Sequence, residues 1–417
     1  MNIWILNQYA LPGNAAGGTR HAVLAKYLQR RGHSVTIFAA NMRHTGGKAF
    51  AGAVVSRRVG AVTELLDGVY WRFVPIRGYH SPLTRFLSMR SYRTQAIVAA
   101  DGLATPDVIV GSCVHPYAVD AARCLAQRYQ VPFVYEIRDI WPASLLDVGA
   151  LSRWNPIYWQ LRQLELRAFR QAQGVIGVCP GMKDYAAQHG VEASRFLYAP
   201  NGIDPEVFSA ANPAQAAQPF VVSYLGSQGP VNGLMTLVEA ARRLQDKQLN
   251  VPLRIRLVGD GTDRPRLQRQ VAEWGLRNVE FLAPVAKSEV VALCQSSQAF
   301  VYCHRPMPVV AKYGVSANKI FDYLAAARPI VFSCNSLNDP VRDAEAGISV
   351  PAGDAGSLAE AIARISMLPL RERQRLGANG RAYVLNHHNL ASIAEQWESF
   401  LRERVSDEGG RSCRQAA

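Results

Sequence analysis

The chain has 417 residues, 46 Lys and Arg against 32 Asp and Glu, a formal net charge of +14 and an isoelectric point near 9.7. That length exceeds one ordinary hydrophobic core and predicts two domains. A content of 49% hydrophobic and 19% charged residues excludes a disordered chain, and the basic balance predicts anionic partners such as nucleotide phosphates or anionic lipid.

Several classes drop out early. No window approaches the roughly 18 continuous apolar residues of a membrane span. The opening "MNIWILNQYA" lacks the basic leader of a signal peptide and reads as a buried strand. The cysteines, 113, 124, 179, 294, 303, 334 and 413, are scattered and without CxxC spacing. They argue for a reducing, cytoplasmic setting and against a disulfide framework or structural zinc. With no RNP-like, zinc-finger or helix-turn-helix pattern, no nucleic-acid partner is expected.

Strand-like runs alternate with helical patterns throughout, which predicts an α/β chain with parallel sheets. The first strand, Ile3–Leu6, enters "LPGNAAGGTRHAVLAKYLQRRGH" (Leu11–His33). This is a glycine loop opening a helix over about Gly18 to Arg31, with Val23, Leu24, Tyr27 and Leu28 on its apolar side. Bare backbone at Gly17 and Gly18 lets N–H groups approach a phosphate, and Arg20 adds a bidentate donor. Alone, the loop is equally a plain strand-to-helix turn. Its spacing matches neither a nicotinamide fingerprint nor an ATP-hydrolysing loop.

Further strands are predicted at Val35–Ala39, Val54–Val55, Val69–Val74, Val108–Gly111, Phe133–Ile137 and Gly174–Val178, with a helix near Tyr117–Arg128. Between them, "SPLTRFLSMRSYRTQAIVAA" (Ser81–Ala100) is basic and apolar together. Leu83, Phe86, Leu87, Arg90 and Arg93 either dock a helix on anionic lipid or pack its apolar side on the domain with the arginines in solvent. "YEIRDIWPAS" (Tyr135–Ser144) ends a strand with Glu136, Arg138 and Asp139, a grouping that suits a reaction centre and equally an interdomain salt pair.

"YAPNGIDPEVFSAANPAQAAQPF" (Tyr198–Phe220) is turn-rich and then an Ala/Pro/Gln connector, after which the alternation restarts. "YLGSQGPVNG" (Tyr224–Gly233) ends a strand in Gly226, with Gly229 and Gly233 allowing close approach of a ligand. "LVGDGTDRPRLQ" (Leu257–Gln268) is a third such turn, with Gly259, Gly261, Arg264 and Arg266; together the two suggest a diphosphate cradle. "SANKIFDYLAAARPIVF" (Ser316–Phe332) predicts a short helix with Ser316 as N-cap, stopped before Pro329. Asn318 and Asp322 share a face, with Lys319 beside them. Closing helices are expected near Ser357–Ser366, Leu370–Asn386 and Leu390–Val405. The predicted layout is therefore 1–198, 199–390, a helix over 391–405 returning to the first domain, and an unstructured tail over 406–417. Two facing domains of this kind create a cleft at the carboxyl ends of their strands.

In this order the pieces resemble the retaining, nucleotide-sugar-dependent glycosyltransferases of group 1 (family 4), which have the GT-B fold of two Rossmann-like domains. The carriers are the Gly17–Gly18 loop, "PNGID" at Pro200–Asp204, "GDG" at Gly259–Gly261 and "NKIFDYLAAARPIV". "EIRDIWP" and "YGVSANKIFDY" look closest to transferases of N-acetyl-fucosamine and related amino sugars in O-antigen and capsule synthesis. The resemblance implies a UDP-sugar donor, a lipid-linked glycan acceptor, no metal or other cofactor, and a cytoplasmic enzyme peripheral on the inner membrane. It implies donor contacts by Gly17, Gly18, Gly226, Gly229, Gly259, Gly261 and Asn318, and ribose binding by Asp322, the second acid of the family's E-x7-E motif. Phosphate stabilisation would fall to Lys319 and Arg264. Asp139 would lie near the anomeric centre, with Arg20 and Arg138 on the acceptor side.

Three departures stand out: Gly314 occupies the position of the first acid, "AAA" ending in Ala327 replaces "AAG", and "GSQGPVNG" carries no basic residue. Two other readings share the architecture: a UDP-sugar 2-epimerase and a non-catalytic membrane-associated scaffold.

Overall fold

The computed structural model describes residues 1–13, 19–41, 60–76, 78–208, 218–245, 247, 251–285 and 287–415. The predicted strand Val54–Val55, the pair Gly17 and Gly18, and residues 209–217 of the connector lie outside them. The chain divides into two compact units between Pro200 and Asn201, and the segment from Ala391 onward belongs to the first unit.

The first unit is built on β1 (Asn2–Leu6), β2 (Ser34–Ala40), β3 (Val62–Leu66), β4 (Val69–Val74), β5 (Val108–Cys113), β6 (Phe133–Ile137), β7 (Gly174–Gly177) and β8 (Phe196–Tyr198). They form one sheet in the order β3-β4-β2-β1-β5-β6-β7-β8. All neighbours pair in parallel except β3 and β4, an antiparallel hairpin. Its turn is Asp67–Gly68, both at positive φ, as the strand twist of a two-residue hairpin requires. The central strands are near-continuous apolar runs because helices cover both faces of a parallel sheet; Ile3, Ile5, Leu6, Ile109 and Val110 are wholly buried.

The second unit holds β9 (Phe220–Leu225), β10 (Leu253–Val258), β11 (Val279–Leu282), β12 (Ala299–Cys303), β13 (Ile330–Ser333) and β14 (Gly347–Val350). The order β11-β10-β9-β12-β13-β14 is that of a doubly wound Rossmann sheet. Its core gathers Phe220, Val222, Leu237, Ile255, Val301 and Ile362 from strands and covering helices. Each such side chain contributes about 1.5–3 kcal/mol by leaving water. In each sheet the strand order reverses beside the first strand, between β1 and β5 and between β9 and β12. The carboxyl ends at such a reversal are where open α/β sheets bind ligands.

Two predicted features change. Ser316 does not cap the helix, which spans Asn318–Ala325 with Ala317 at its N-cap. Its hydroxyl instead accepts from the Asn201 N–H at 3.0 Å, and its carbonyl accepts from the Asn201 side chain. The last helix runs Leu390–Gln415, so residues 406–415 are helical where their small, polar composition predicts disorder. An Arg404–Asp407 pair at 3.6 Å bridges one turn of that extension.

Candidate active site

In the second unit, the first strand's carboxyl end and one helix meet around a single ammonium. The helix Asn318–Ala325 is tied to β9 by Tyr323, whose phenol accepts from the Leu225 N–H at 2.7 Å and donates to the Leu225 carbonyl at 3.1 Å. Tyr323 is fixed in turn by stacking on Phe300, with centroids 4.4 Å apart. One turn earlier, Lys319 Nζ donates to Tyr224 Oη at 2.6 Å and to Asn232 Oδ1 at 2.9 Å. It sits 4.4 Å from the Tyr224 ring centroid and 5.9 Å from that of Tyr302. Tyr224 is the penultimate residue of β9 and Tyr302 belongs to β12, so the charge stands at the reversal of the sheet.

Neither partner of Lys319 is an anion. Tyr224 gives its own proton to the Ser227 carbonyl at 2.6 Å, and burial pushes its phenol well above the usual range. Among the described residues no carboxylate forms an ion pair with Lys319, and burial drags its ammonium down to about 7. Lys319 as a whole is half-buried. A desolvated cation with one proton left over is a receptor for an anion.

The glycine turns serve this site differently from the expectation. Gly226, at φ +136, lies against Lys319, where a Cβ would stand 3.2 Å from Nζ. Gly259 and Gly261 are instead where the two turns press together. A Cβ at Gly259 would meet the Gly226 carbonyl oxygen at 2.1 Å, and one at Gly261 would meet the Gln228 carbonyl oxygen at 2.4 Å. Reciprocal bonds lock the contact: Gln228 N–H to Asp260 O at 2.8 Å and Asp263 N–H to Gln228 O at 2.9 Å. Gly229 lies in the same turn with open space around it apart from Ser227. Arg264 braces the platform from below, with its guanidinium donating to the Leu282 carbonyl at 2.7 Å and to that of Gly259. Asn318 and Asp322 are half-buried on the helix that carries Lys319, and no side chain caps that helix.

Two of the three departures acquire reasons. Gly314 has φ +96 and ψ −179, a region open essentially to glycine alone. An acid there requires a different backbone. Gly314→Glu should therefore lower stability by about 1–3 kcal/mol without any gain in activity, measured as a fall in the melting midpoint. Ala327, at φ +55, keeps the left-handed stop that glycine usually provides, and Arg328 donates to the Ala326 and Ala327 carbonyls beside it.

In the first unit, Arg20 is not available to a ligand. It is 2% exposed, donates to Glu136 Oε1 at 3.0 Å and to the Ala199 carbonyl at 2.7 Å, and also holds the Pro200 carbonyl. The acceptor-side expectation for Arg20 is corrected: it anchors the chain at the end of its own unit. His21 Nε2–H donates to Glu136 Oε2 at 2.7 Å while its Nδ1 accepts from Asn7 at 3.0 Å, the tautomer that satisfies both bonds. Arg138 is half-buried and Asp139 exposed just beyond β6.

Sequence reasoning missed Tyr224, Asn232 and Tyr302 around Lys319, although the first two lie inside the quoted glycine motif. It also missed Gln8, Tyr9 and His115 at the reversal of the first sheet. His115 Nε2–H donates to Gln8 Oε1 at 2.6 Å. Gln8 Nε2 is buried without a hydrogen-bond partner among the described residues. Tyr9 interacts with Tyr79 and Arg85. Among the described residues no group of three or more His, Cys, Asp or Glu side chains could hold a metal.

Two protein families match the chain: Glycosyltransferase Family 4 over residues 16–207 and glycosyl transferases group 1 over residues 219–367. The colanic acid biosynthesis glycosyl transferase WcaI of Escherichia coli K12, itself a provisional assignment, is 24% identical over 340 residues, covering 76% of this chain and 79% of that protein. Sucrose-phosphate synthase of Thermosynechococcus elongatus superposes with a TM-score of 0.75 at 17% identity, over 97% of this chain and 99% of that one. Anabaena HepE in complex with UDP-glucose gives 0.66 at 18% identity, over 98% of this chain and 100% of that one. The fold is thus the GT-B arrangement of two Rossmann-like domains.

Proposed function

We propose that this group 1 glycosyltransferase moves an N-acetylated amino sugar, with retention, from a UDP-sugar to a lipid-linked glycan in the assembly of a surface polysaccharide. The observation that carries the donor half is the ammonium of the half-buried Lys319 against the Gly226 turn, held by Tyr224 and Asn232 and, among the described residues, by no carboxylate. HepE, bound to UDP-glucose, supports the nucleotide, and WcaI supports the polysaccharide setting.

The reaction breaks the bond between the anomeric carbon and the β-phosphate oxygen, so negative charge grows on the departing diphosphate. Lys319 meets that charge with a proton that Tyr224 and Asn232 do not use. The uncapped first turn of its helix adds N–H groups and a positive dipole end. Asp322, one turn on, takes the ribose hydroxyls. Arg264 contributes by fixing the turn that faces the diphosphate. Retention follows from attack on the face the diphosphate leaves, with its own oxygen accepting the acceptor's proton. Asp139 lies on the acceptor unit, exposed and beside Arg138. The chemistry uses fixed charge rather than a metal, so chelation should leave the rate unchanged.

The test is a donor screen with the purified protein and a polyprenyl-diphosphate-linked acceptor, read by mass spectrometry. A mass gain of one sugar with UDP release is expected. Conversion of UDP-GlcNAc to its C2 epimer without acceptor would replace this reading with an epimerase, and no UDP binding at all would leave a scaffold. Asp322→Ala should weaken UDP-sugar binding by about tenfold to a hundredfold with the melting midpoint unchanged. Equal affinity would remove Asp322 from the ribose.

A further inference from the structure

In the first unit, the helices Pro82–Ala99 and Pro156–Gln171 both pack on the helix Pro116–Tyr129. They meet in one apolar cluster around Met89, Tyr117 and Leu161, which also takes Phe86 and Ile157. All follow parallel strands, so their first turns share the carboxyl edge of the sheet. On that edge stand large apolar side chains that the cluster does not use: Trp154 is 93% exposed, Leu83 64%, Trp159 56% and Leu87 51%. Phe86, between the two leucines, is turned inward, its ring 5.7 Å from that of Tyr117. The outward leucines are therefore a second face of the helix and not a displaced core. Trp159 is fixed at the surface by its indole N–H, which donates to the Arg153 carbonyl at 2.8 Å.

The two segments that carry this face are basic. No Asp or Glu occurs between Asp67 and Asp101, nor between Asp147 and Glu165. Arg93 is paired with Asp120 and Arg162 with Glu165, while Arg90 and Arg153 are exposed. Indole rings beside arginines, on segments that themselves hold no acid, match the boundary of an anionic bilayer, where the rings sit at headgroup level and the cations meet phosphates.

We propose that this edge of the first unit rests on an anionic phospholipid bilayer through Trp154, Trp159, Leu83 and Leu87, with Arg90 and Arg153 on the headgroups. The surface moves from the single helix that the sequence suggests to two helices and the segment before the second. It rests on the lipid-linked-acceptor reading for its purpose, since Arg85 on the first of these helices stands near Asp139. Among the described residues no helix is long and apolar enough to cross a membrane.

The test is co-sedimentation of the full chain with phosphatidylcholine vesicles with and without about 30 mol% phosphatidylglycerol at about 150 mM salt. Wild type should bind only the anionic vesicles. Trp154→Ala/Trp159→Ala should lower the partition coefficient about tenfold or more, and Arg90→Glu/Arg153→Glu should abolish the preference for phosphatidylglycerol. Both variants should keep the melting midpoint and UDP affinity, measured on the same samples. Binding undiminished in the tryptophan variant, or no vesicle binding by wild type, overturns the proposal. So does a dimer in sedimentation equilibrium that Trp154→Ala/Trp159→Ala splits, since the patch would then face a second copy. Loss of UDP binding in wild type would instead strike the donor reading and leave the vesicle result standing.

Discussion

Lys319→Ala should lower kcat by about a hundredfold to a thousandfold, the loss seen when one preorganised donor to a developing anion is removed. The melting midpoint should hold or rise. The ammonium is desolvated against Tyr224 and Tyr302 and held only by neutral oxygens, so the apo protein gains little from keeping it. Its charge is most useful when the phosphate leaves, so the effect belongs in kcat; a change confined to KM would contradict the role. A pH signature separates it from a packing role. Burial lowers the Lys319 ammonium to about 7 in the free protein, and a bound diphosphate raises it again. Below pH 7 the site is already charged and affinity is flat. Above pH 7 binding must take up a proton, so affinity for a UDP-sugar falls by up to tenfold per pH unit until the pKa of the complex is reached. Calorimetry in buffers of different ionisation enthalpy should show that uptake in wild type and its absence in Lys319→Ala. A pH-independent affinity in wild type would mean that binding leaves the protonation of Lys319 unchanged, and the lowered ammonium of the free protein would be wrong.

The alternation of apolar runs and helical periods made the architecture legible, because buried parallel strands have no polar face to blur their limits. β4 and β6 lie where the sequence places them, at Val69–Val74 and Phe133–Ile137. Strands such as β3 and β8 escaped, since β3 mixes Thr and Glu with its apolar residues and β8 is only three residues long. In the donor region, Lys319 was legible as a cation on a helix face. Its enclosure was not, because that depends on Tyr224, Asn232 and Tyr302, which stand 95, 87 and 17 positions away in the chain. The glycines misled in an instructive way. At Gly259 and Gly261 the missing side chain makes room for another backbone, and a sequence cannot distinguish that from room for a ligand. Arg20 misled similarly: an arginine after a glycine loop reads as a phosphate donor, while the carbonyls that claim it lie some 180 residues on.

Glu136→Ala should destabilise the first unit by about 3–5 kcal/mol, the cost of leaving a buried charge without its partner. Arg20 and Glu136 are both almost wholly inaccessible, and the same carboxylate accepts from His21. Burial alone would raise the Glu136 carboxyl, but His21 and Arg20 outweigh it and hold the group well below the ordinary carboxylate range. A folded-state pKa below the unfolded one adds stability that is present above the unfolded value and lost only as the pH falls through the folded value. The deficit of Glu136→Ala against wild type should therefore be constant from about pH 5 to neutrality and close only in strong acid. Glu136→Gln, which keeps the shape and one acceptor, should lose less. The consequence reaches beyond the pair, because Arg20 also carries the Ala199 and Pro200 carbonyls and stacks 5.8 Å from the Trp397 ring of the last helix. Releasing Arg20 should loosen both segments together. Hydrogen exchange should then rise at residues 199–200 and in the helix around Trp397, while the amides of β9 and β10 in the second unit keep their protection. If exchange rose equally in β9 and β10, Glu136 would be supporting the whole chain, and its role as an anchor confined to the first unit would be wrong.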